Sequence, residues 1–265
     1  MNSTQTSKTI QIIRFSRLLL HIFSGLFQSI AYPYFSRSRQ RYIARKWARN
    51  LLEILNIKLS RSGALPPEDK QRVILIANHI SWLDIIIILA LYPVRFVAKT
   101  EILSWPLLNI LCHRAGTIFI EREKRNDTRR VNQHIGEALG AGDSVAIFPE
   151  GKTSDGTTLL HFHASLLQSA VTMQAMLYPV AIKYRDMTGA HNANIAYVDS
   201  TIVESLKLIL KQPVIKAELY FLDPISCTGK NRRELARLSE HAIAEMLQLP
   251  VVRKVPEKLS GLPSE

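Results

Sequence analysis

From residue 72 onward, short apolar runs alternate with longer stretches of helical period. Runs at 72–78, 94–98, 117–121, 144–149, 178–184, 192–198 and 216–222 read as strands, several of them apolar at nearly every position and so buried on both faces. Segments 85–91, 101–114, 127–140, 161–176, 202–210 and 230–248 predict helices. The alternation predicts an α/β domain whose mixed, mostly buried sheet is flanked by helices. Ser62, Gly63, Pro66 and Pro67 supply turn chemistry ahead of the first core strand, which places the expected boundaries. They give an N-terminal segment over 1–62, a compact domain over 63–250 and a flexible tail over 251–265. No internal repeat or low-complexity tract interrupts the pattern.

The N-terminal segment differs in kind. Ile10 to Phe35 is apolar and aromatic, broken by Arg14, Arg17, His21 and Gln28, with Pro33 near its end. The stretch between Arg17 and Arg37 is barely the length of a bilayer span, and its polar interruptions weaken that reading. No small-residue cleavage site follows it, as a secretory signal would require. An amphipathic helix or hairpin lying in the membrane interface is therefore the expectation. Residues 37–49 follow, rich in arginine and carrying Tyr42 and Trp47.

Charge sharpens this picture. The 265-residue chain carries a formal net charge of +12. Residues 1–62 hold eleven Lys and Arg against the single acid Glu53, so ten of those twelve charges lie in the first quarter. Cations beside an apolar anchor suit an anionic cytoplasmic leaflet; a solvated basic helix packed on the domain is the plainer alternative. A nucleic-acid arm would need no apolar block, so no nucleic acid is expected as a partner. Cys112 and Cys227, the only two cysteines, show neither a disulfide framework nor metal-ligand spacing.

Candidate chemistry gathers where strands end. Asn78-His79-Ile80-Ser81-Trp82-Leu83-Asp84 joins the run 72–77 to the helix that follows. On a regular helix, positions five apart lie roughly 140° apart, so His79 and Asp84 meet only across a turn. Placed so, Asp84 can fix the imidazole tautomer and leave the other ring nitrogen as general base. A capping Asp and a core-edge His is the competing reading. Gly116 to Arg122 is a strand delivering an arginine suited to a phosphate or carboxylate, although strand-end arginines are commonly just solvated. Phe148 to Ser154 opens a polar loop in which Gly151 permits close backbone approach and Glu150, Lys152, Thr153 and Ser154 offer polar groups; a plain turn accounts for it equally. Lys99 follows a strand, facing the same pocket as Arg122 or simply the surface. Tyr178 to Ile182 contains nothing that ionises at neutral pH and reads as core. His161 and His163 lack the Cys or acidic neighbours of a metal site, so no metal is expected. Neither G-x-S-x-G nor a P-loop is present.

With these four blocks in order, the chain resembles the glycerolipid acyltransferases of the 1-acyl-glycerol-3-phosphate acyltransferase family. N-H-x-S-x-x-D matches Asn78 to Asp84, G-x-x-F-I-x-R matches Gly116, Phe119, Ile120 and Arg122, F-P-E-G-x-x-S matches Phe148 to Gly151 and Ser154, and a P-V pair matches Pro179 and Val180. The resemblance implies that residues 63–250 form an acyltransferase domain with His79 and Asp84 catalytic. It implies that Arg122, Glu150 and Gly151, with Lys99, Gly116, Phe119, Lys152 and Ser154, bind substrate. It further implies a lysolipid acceptor, an acyl donor on coenzyme A or acyl carrier protein, no other cofactor, and the cytoplasmic face of a membrane (the inner membrane in a bacterium). Two departures bear on the acceptor: Lys152-Thr153 stands where the family commonly has Arg after Thr, and Phe162-His163 where many members have Phe-Lys. Lyso-ornithine lipid is accordingly an alternative acceptor. A thioesterase using the same pair, or a non-catalytic basic membrane- or nucleic-acid-binding protein of the same fold, are the other readings.

Overall fold

The structure, a computed structural model, describes residues 5–67, 72–105, 107–121 and 125–252. Its main sheet is built from β1 (Ile57–Ser62), β2 (Val73–Ala77), β3 (Arg95–Lys99), β4 (Ile118–Ile120), β5 (Val145–Ile147), β7 (Met176–Arg185) and β8 (Ile215–Phe221), with β9 (Ile225–Ser226) beside β7. The order is β1-β8-β7-β2-β5-β3-β4. Parallel pairing runs from β7 through β2, β5 and β3 to β4, while β8 lies antiparallel to β7 and carries β1 parallel to itself. A separate small ladder pairs β6 (Leu159–Leu160) with β10 (Val251–Val252).

Alternation within β2 explains why the sheet is covered on both sides. Val73, Leu75 and Ala77 join one apolar cluster, with Leu51 and Leu52 of α2 (Arg37–Ile54) and Ile87 and Ile88 of α3 (Leu83–Leu91). Ile74 and Ile76 point the other way, into a cluster with Val131 and Ile135 of α5 (Arg125–Gly140) and Leu235 and Ile243 of α8 (Arg232–Leu247). With a side-chain period of two, a strand apolar at every position has two faces to bury. The expected mixed α/β sheet flanked by helices is the observed fold.

Helix signals hold where caps are explicit. Thr201 and Glu204 form a reciprocal capping box on α7 (Ile202–Lys211), and Asn231 caps α8 through the backbone N–H groups of Arg233 and Glu234. The expected helix over 101–114 is interrupted: a 3₁₀ turn at Thr100–Ser104 precedes α4 (Leu108–Arg114), and Leu107 between them has φ +69°. The expected helix over 161–176 is reduced to a 3₁₀ turn and the five residues of α6 (Gln168–Thr172). The expected strand at 192–198 is absent. Its backbone bonds are spent elsewhere, for the Tyr197 N–H donates to the Ile80 carbonyl and the Ala196 N–H to the Ala193 carbonyl.

The N-terminal residues fold as a helical hairpin, α1 (Lys8–Ala31) and α2, joined through a 3₁₀ turn at Tyr32–Tyr34. Ser7 and Ser36 cap the two helices. One face of α1 packs inward at Leu18, Gly25 and Ser29. Its opposite face leaves Leu20 69% and Phe27 78% exposed, along with Ile12, Phe23 and Ile30. Among the described residues, Lys8–Tyr34 is the one helix long and apolar enough to cross a membrane by length and composition. β1 lies just ahead of the expected boundary at 62 and forms the edge strand against β8. Residues 253–265, within the expected tail, lie outside the described residues.

Candidate active site

Asn78 ends β2 by extending its ladder with a side chain. Its amide donates to the Ile182 carbonyl at 3.0 Å and accepts from the Ile182 N–H at 2.7 Å, so both halves of the carboxamide pair with β7. This frees the following backbone to turn out of the sheet, and His79 is delivered at the carboxyl edge of the parallel strands.

The turn then closes on Asp84, in the first turn of α3. Oδ2 of Asp84 accepts from the N–H groups of Ile80 at 2.6 Å and Ser81 at 2.9 Å, and pairs with Nδ1 of His79 at 2.8 Å. Oδ1 accepts from the Tyr184 hydroxyl at 2.7 Å. Asp84 is 0% exposed, so these four donors replace its water. Donation from Nδ1–H fixes the tautomer and leaves Nε2 as proton acceptor. The His79 ring stacks on Phe148 at 4.1 Å and 14°, and its side chain is 19% exposed. Tyr184 is fully enclosed; burial first, then the Asp84 charge, holds its hydroxyl protonated well above the usual tyrosine range.

Glu150 reaches the same turn from the end of β5. Oε1 accepts from the His79 N–H at 2.6 Å, and Oε2 from the Leu160 N–H at 2.9 Å. Burial pushes its carboxyl up to about 8, helped by the charges of Asp84 and Glu240 and opposed by those two N–H donors. Ser154 closes the loop over the histidine, its N–H donating to the His79 carbonyl at 2.8 Å. Thr153 donates to the Tyr197 carbonyl, which ties the loop to the segment 191–197.

The sequence-derived candidates divide. His79, Asp84, Glu150 and Ser154 meet in one hydrogen-bonded cluster. Gly151 sits in the turn behind Glu150 with φ +80°, and Lys152 is exposed beyond it. Lys99, also exposed, lies at the carboxyl end of β3, on the same edge of the sheet as His79. Gly116 sits at the opposite edge, before β4 and beside the Arg95 guanidinium. Phe119 lies within β4 with its ring near His113 of α4. Arg122 lies outside the described residues.

Three contributors were not legible from the motifs. Tyr184 belongs to the strand read as pure core, two residues beyond the segment singled out; a phenol among aliphatic side chains was the available signal. His161 pairs through Nδ1 with the buried Glu240 carboxylate at 2.7 Å, and the Phe162 N–H donates to the same oxygen. Glu240 comes from α8, 79 residues away. Among the described residues, no group of three or more His, Cys, Asp or Glu is placed to hold a metal ion.

Comparison with known proteins adds to this geometry. A sequence model of the family described as Acyltransferase matches residues 56–183. The chain is 36% identical over 206 residues to a lyso-ornithine lipid O-acyltransferase of Pseudomonas aeruginosa, spanning 77% of this chain and 78% of that protein. It is 38% identical over 186 residues to a 1-acyl-sn-glycerol-3-phosphate acyltransferase of Neisseria gonorrhoeae, spanning 70% and 72%. The crystal structure of the 1-acyl-sn-glycerophosphate acyltransferase PlsC from Thermotoga maritima shares the fold, with a TM-score of 0.68 at 20% identity over 97% of each chain. A His–Asp pair at the carboxyl edge of this sheet, within relatives of that length and identity, places the chain in the acyltransferase family of lysolipid-acylating enzymes.

Proposed function

We propose that this acyltransferase moves a fatty acyl group from an acyl-coenzyme A or acyl carrier protein thioester to the sn-2 hydroxyl of 1-acyl-glycerol-3-phosphate, giving phosphatidic acid at the cytoplasmic face of a membrane. The observation that carries it is the 2.8 Å bond between His79 Nδ1 and an Asp84 carboxylate already held by three further donors. Nε2 takes the hydroxyl proton as the acceptor oxygen attacks the thioester carbonyl carbon. The tetrahedral intermediate collapses with cleavage of the C–S bond, and the departing thiolate takes the proton back from the imidazolium. Asp84 keeps the ring oriented and stabilises its charged form. No side-chain nucleophile and no acyl-enzyme are needed.

Two features support the lipid substrates. An apolar cavity runs beside α3 and β3, lined by Ile85, Ile86, Leu89, Val94 and Phe96, and suits an alkyl chain. The exposed apolar face of α1 next to the arginine-rich α2 suits a monotopic seat on an anionic leaflet, from which a lysolipid can enter without crossing water. Lys99 and Arg122 are the cations assigned to the acceptor phosphate.

A second reading is favoured by Lys152-Thr153 and Phe162-His163, two departures beside the loop that covers His79, and by the likeness to the Pseudomonas protein. In that reading the acceptor is lyso-ornithine lipid and the chemistry is unchanged. Parallel assays with the two lysolipids decide between them: transfer to lysophosphatidic acid alone supports the first, and transfer to lyso-ornithine lipid alone replaces it with the second.

A further inference from the structure

A basic pocket lies at the amino ends of the parallel strands, across the sheet from the dyad. Arg95 opens β3, and Gly116 and Ser144 come just before β4 and β5, whereas His79 and Glu150 follow strand ends. The five residues of β3 alone separate the two edges by roughly 15 Å at about 3.3 Å per residue.

The pocket measures about 270 Å³ and is lined by Arg37 and Arg41 of α2, Arg95, Arg114 at the end of α4, Tyr32 and Asp143. Asp143 pairs with Arg95 at 2.7 Å and more loosely with Arg37 at 3.9 Å, while Arg41 donates to the Gly142 carbonyl at 2.9 Å. Four arginines and one aspartate thus line the pocket, two of the arginines paired with that carboxylate, a surplus of three positive charges among the lining residues. Two glycines let the backbone lie flush against the forks. A Cβ on Gly116, at φ +74°, would sit 3.2 Å from the Arg95 guanidinium, and one on Gly142, at φ +84°, 3.3 Å from Nη1 of Arg37. Tyr32, Ala44, Leu89, Val94 and Arg114 line both this pocket and the apolar cavity, so the two adjoin.

We propose that this pocket is a second anion site, which binds the phosphate of an anionic amphiphile among Arg37, Arg41, Arg95 and Arg114 while the ligand's chain enters the adjoining apolar cavity. Planar guanidinium forks match phosphate oxygens two at a time, and a clustered positive surplus is relieved by a dianion. Its four arginines take no part in proton transfer at His79, while the cavity is the one offered above to a substrate chain, so this ligand and that chain compete for it.

Calorimetric titration of the full chain in nonionic detergent tests it, with dihexanoyl phosphatidic acid, inorganic phosphate and dihexanoyl phosphatidylcholine as probes. The comparison protein is the double variant Arg37→Gln/Arg114→Gln, whose altered side chains are both exposed. The double variant is expected to bind phosphatidic acid more weakly by roughly tenfold, from two lost charge-assisted contacts, with phosphatidylcholine unaffected. Inorganic phosphate binding as tightly as phosphatidic acid, and losing as much in the variant, keeps the anion site and makes a free anion its ligand. Equal affinity of the two proteins for phosphatidic acid and for phosphate overturns the proposal, as does an equal loss for phosphatidylcholine. Neither result touches the acyl-transfer reading, which stands on the His79 variant.

Discussion

Asp84 has no water to fall back on, so its value to His79 depends on every donor around it. Asp84→Asn removes the charge that steadies the imidazolium and leaves one acceptor oxygen for donors that now meet two; kcat is expected to fall roughly 10²–10⁴-fold, as for His79→Ala, with vesicle binding retained. Tyr184→Phe removes one donor of four and is expected to cost about 1–3 kcal/mol of stability, with a fall in kcat smaller than that of Asp84→Asn. Denaturant titration and steady-state kinetics on the same preparations read both. Glu150 makes a prediction of a different kind. Its carboxyl is raised from 4.5 to about 8, so between those values the folded chain holds a proton that the unfolded chain has released. Stability from this group is therefore full below pH 4.5 and is lost as pH rises through about 8. Glu150→Gln lacks that loss, and the stability of wild type relative to this variant is expected to fall as pH is raised across the window. A pH-independent difference would contradict the assignment.

At the scale of elements, the α1–α2 hairpin depends on close approach. Gly25 faces Trp47, and a Cβ there would lie 2.5 Å from the indole Nε1; the same indole stacks on His21 at 4.8 Å. Gly25→Val is expected to push the helices apart at a cost of about 1–3 kcal/mol, seen as faster proteolysis within residues 8–54. What the sequence made legible divides along the same line. Strands apolar at nearly every position, such as 73–77, could only be buried, and the turn after them had to carry its polar residues to an edge, so the spacing allowed a His79–Asp84 contact but left a capping Asp as its equal. Contacts between segments distant in sequence had no local signature. Tyr184 meets Asp84 from 100 residues away and Glu240 meets His161 from 79, and neither pairing changes the local period of its element. The segment 192–198 misled because its alternation is spent on capping the His79 turn rather than on extending the sheet.

For the molecule as a whole, the proposed membrane seat rests on the distribution of charge and apolar surface. Ten of twelve net positive charges lie in the first 62 residues, beside the exposed face of α1. Leu20→Asp/Phe27→Asp is expected to lower flotation with anionic vesicles, and raised salt is expected to weaken the binding of the wild type, because screening shortens the reach of the basic helix. The buried sheet then holds the dyad at one edge, with the apolar cavity and the basic hairpin on its α3 side. The measurement that bears most directly on this account is acyl transfer from labelled acyl-coenzyme A and acyl carrier protein to lysophosphatidic acid, run beside His79→Ala. We predict phosphatidic acid from the wild type and background from the variant; equal turnover by the variant would contradict His79 as the base, and no transfer by the wild type from either donor would contradict the proposed reaction.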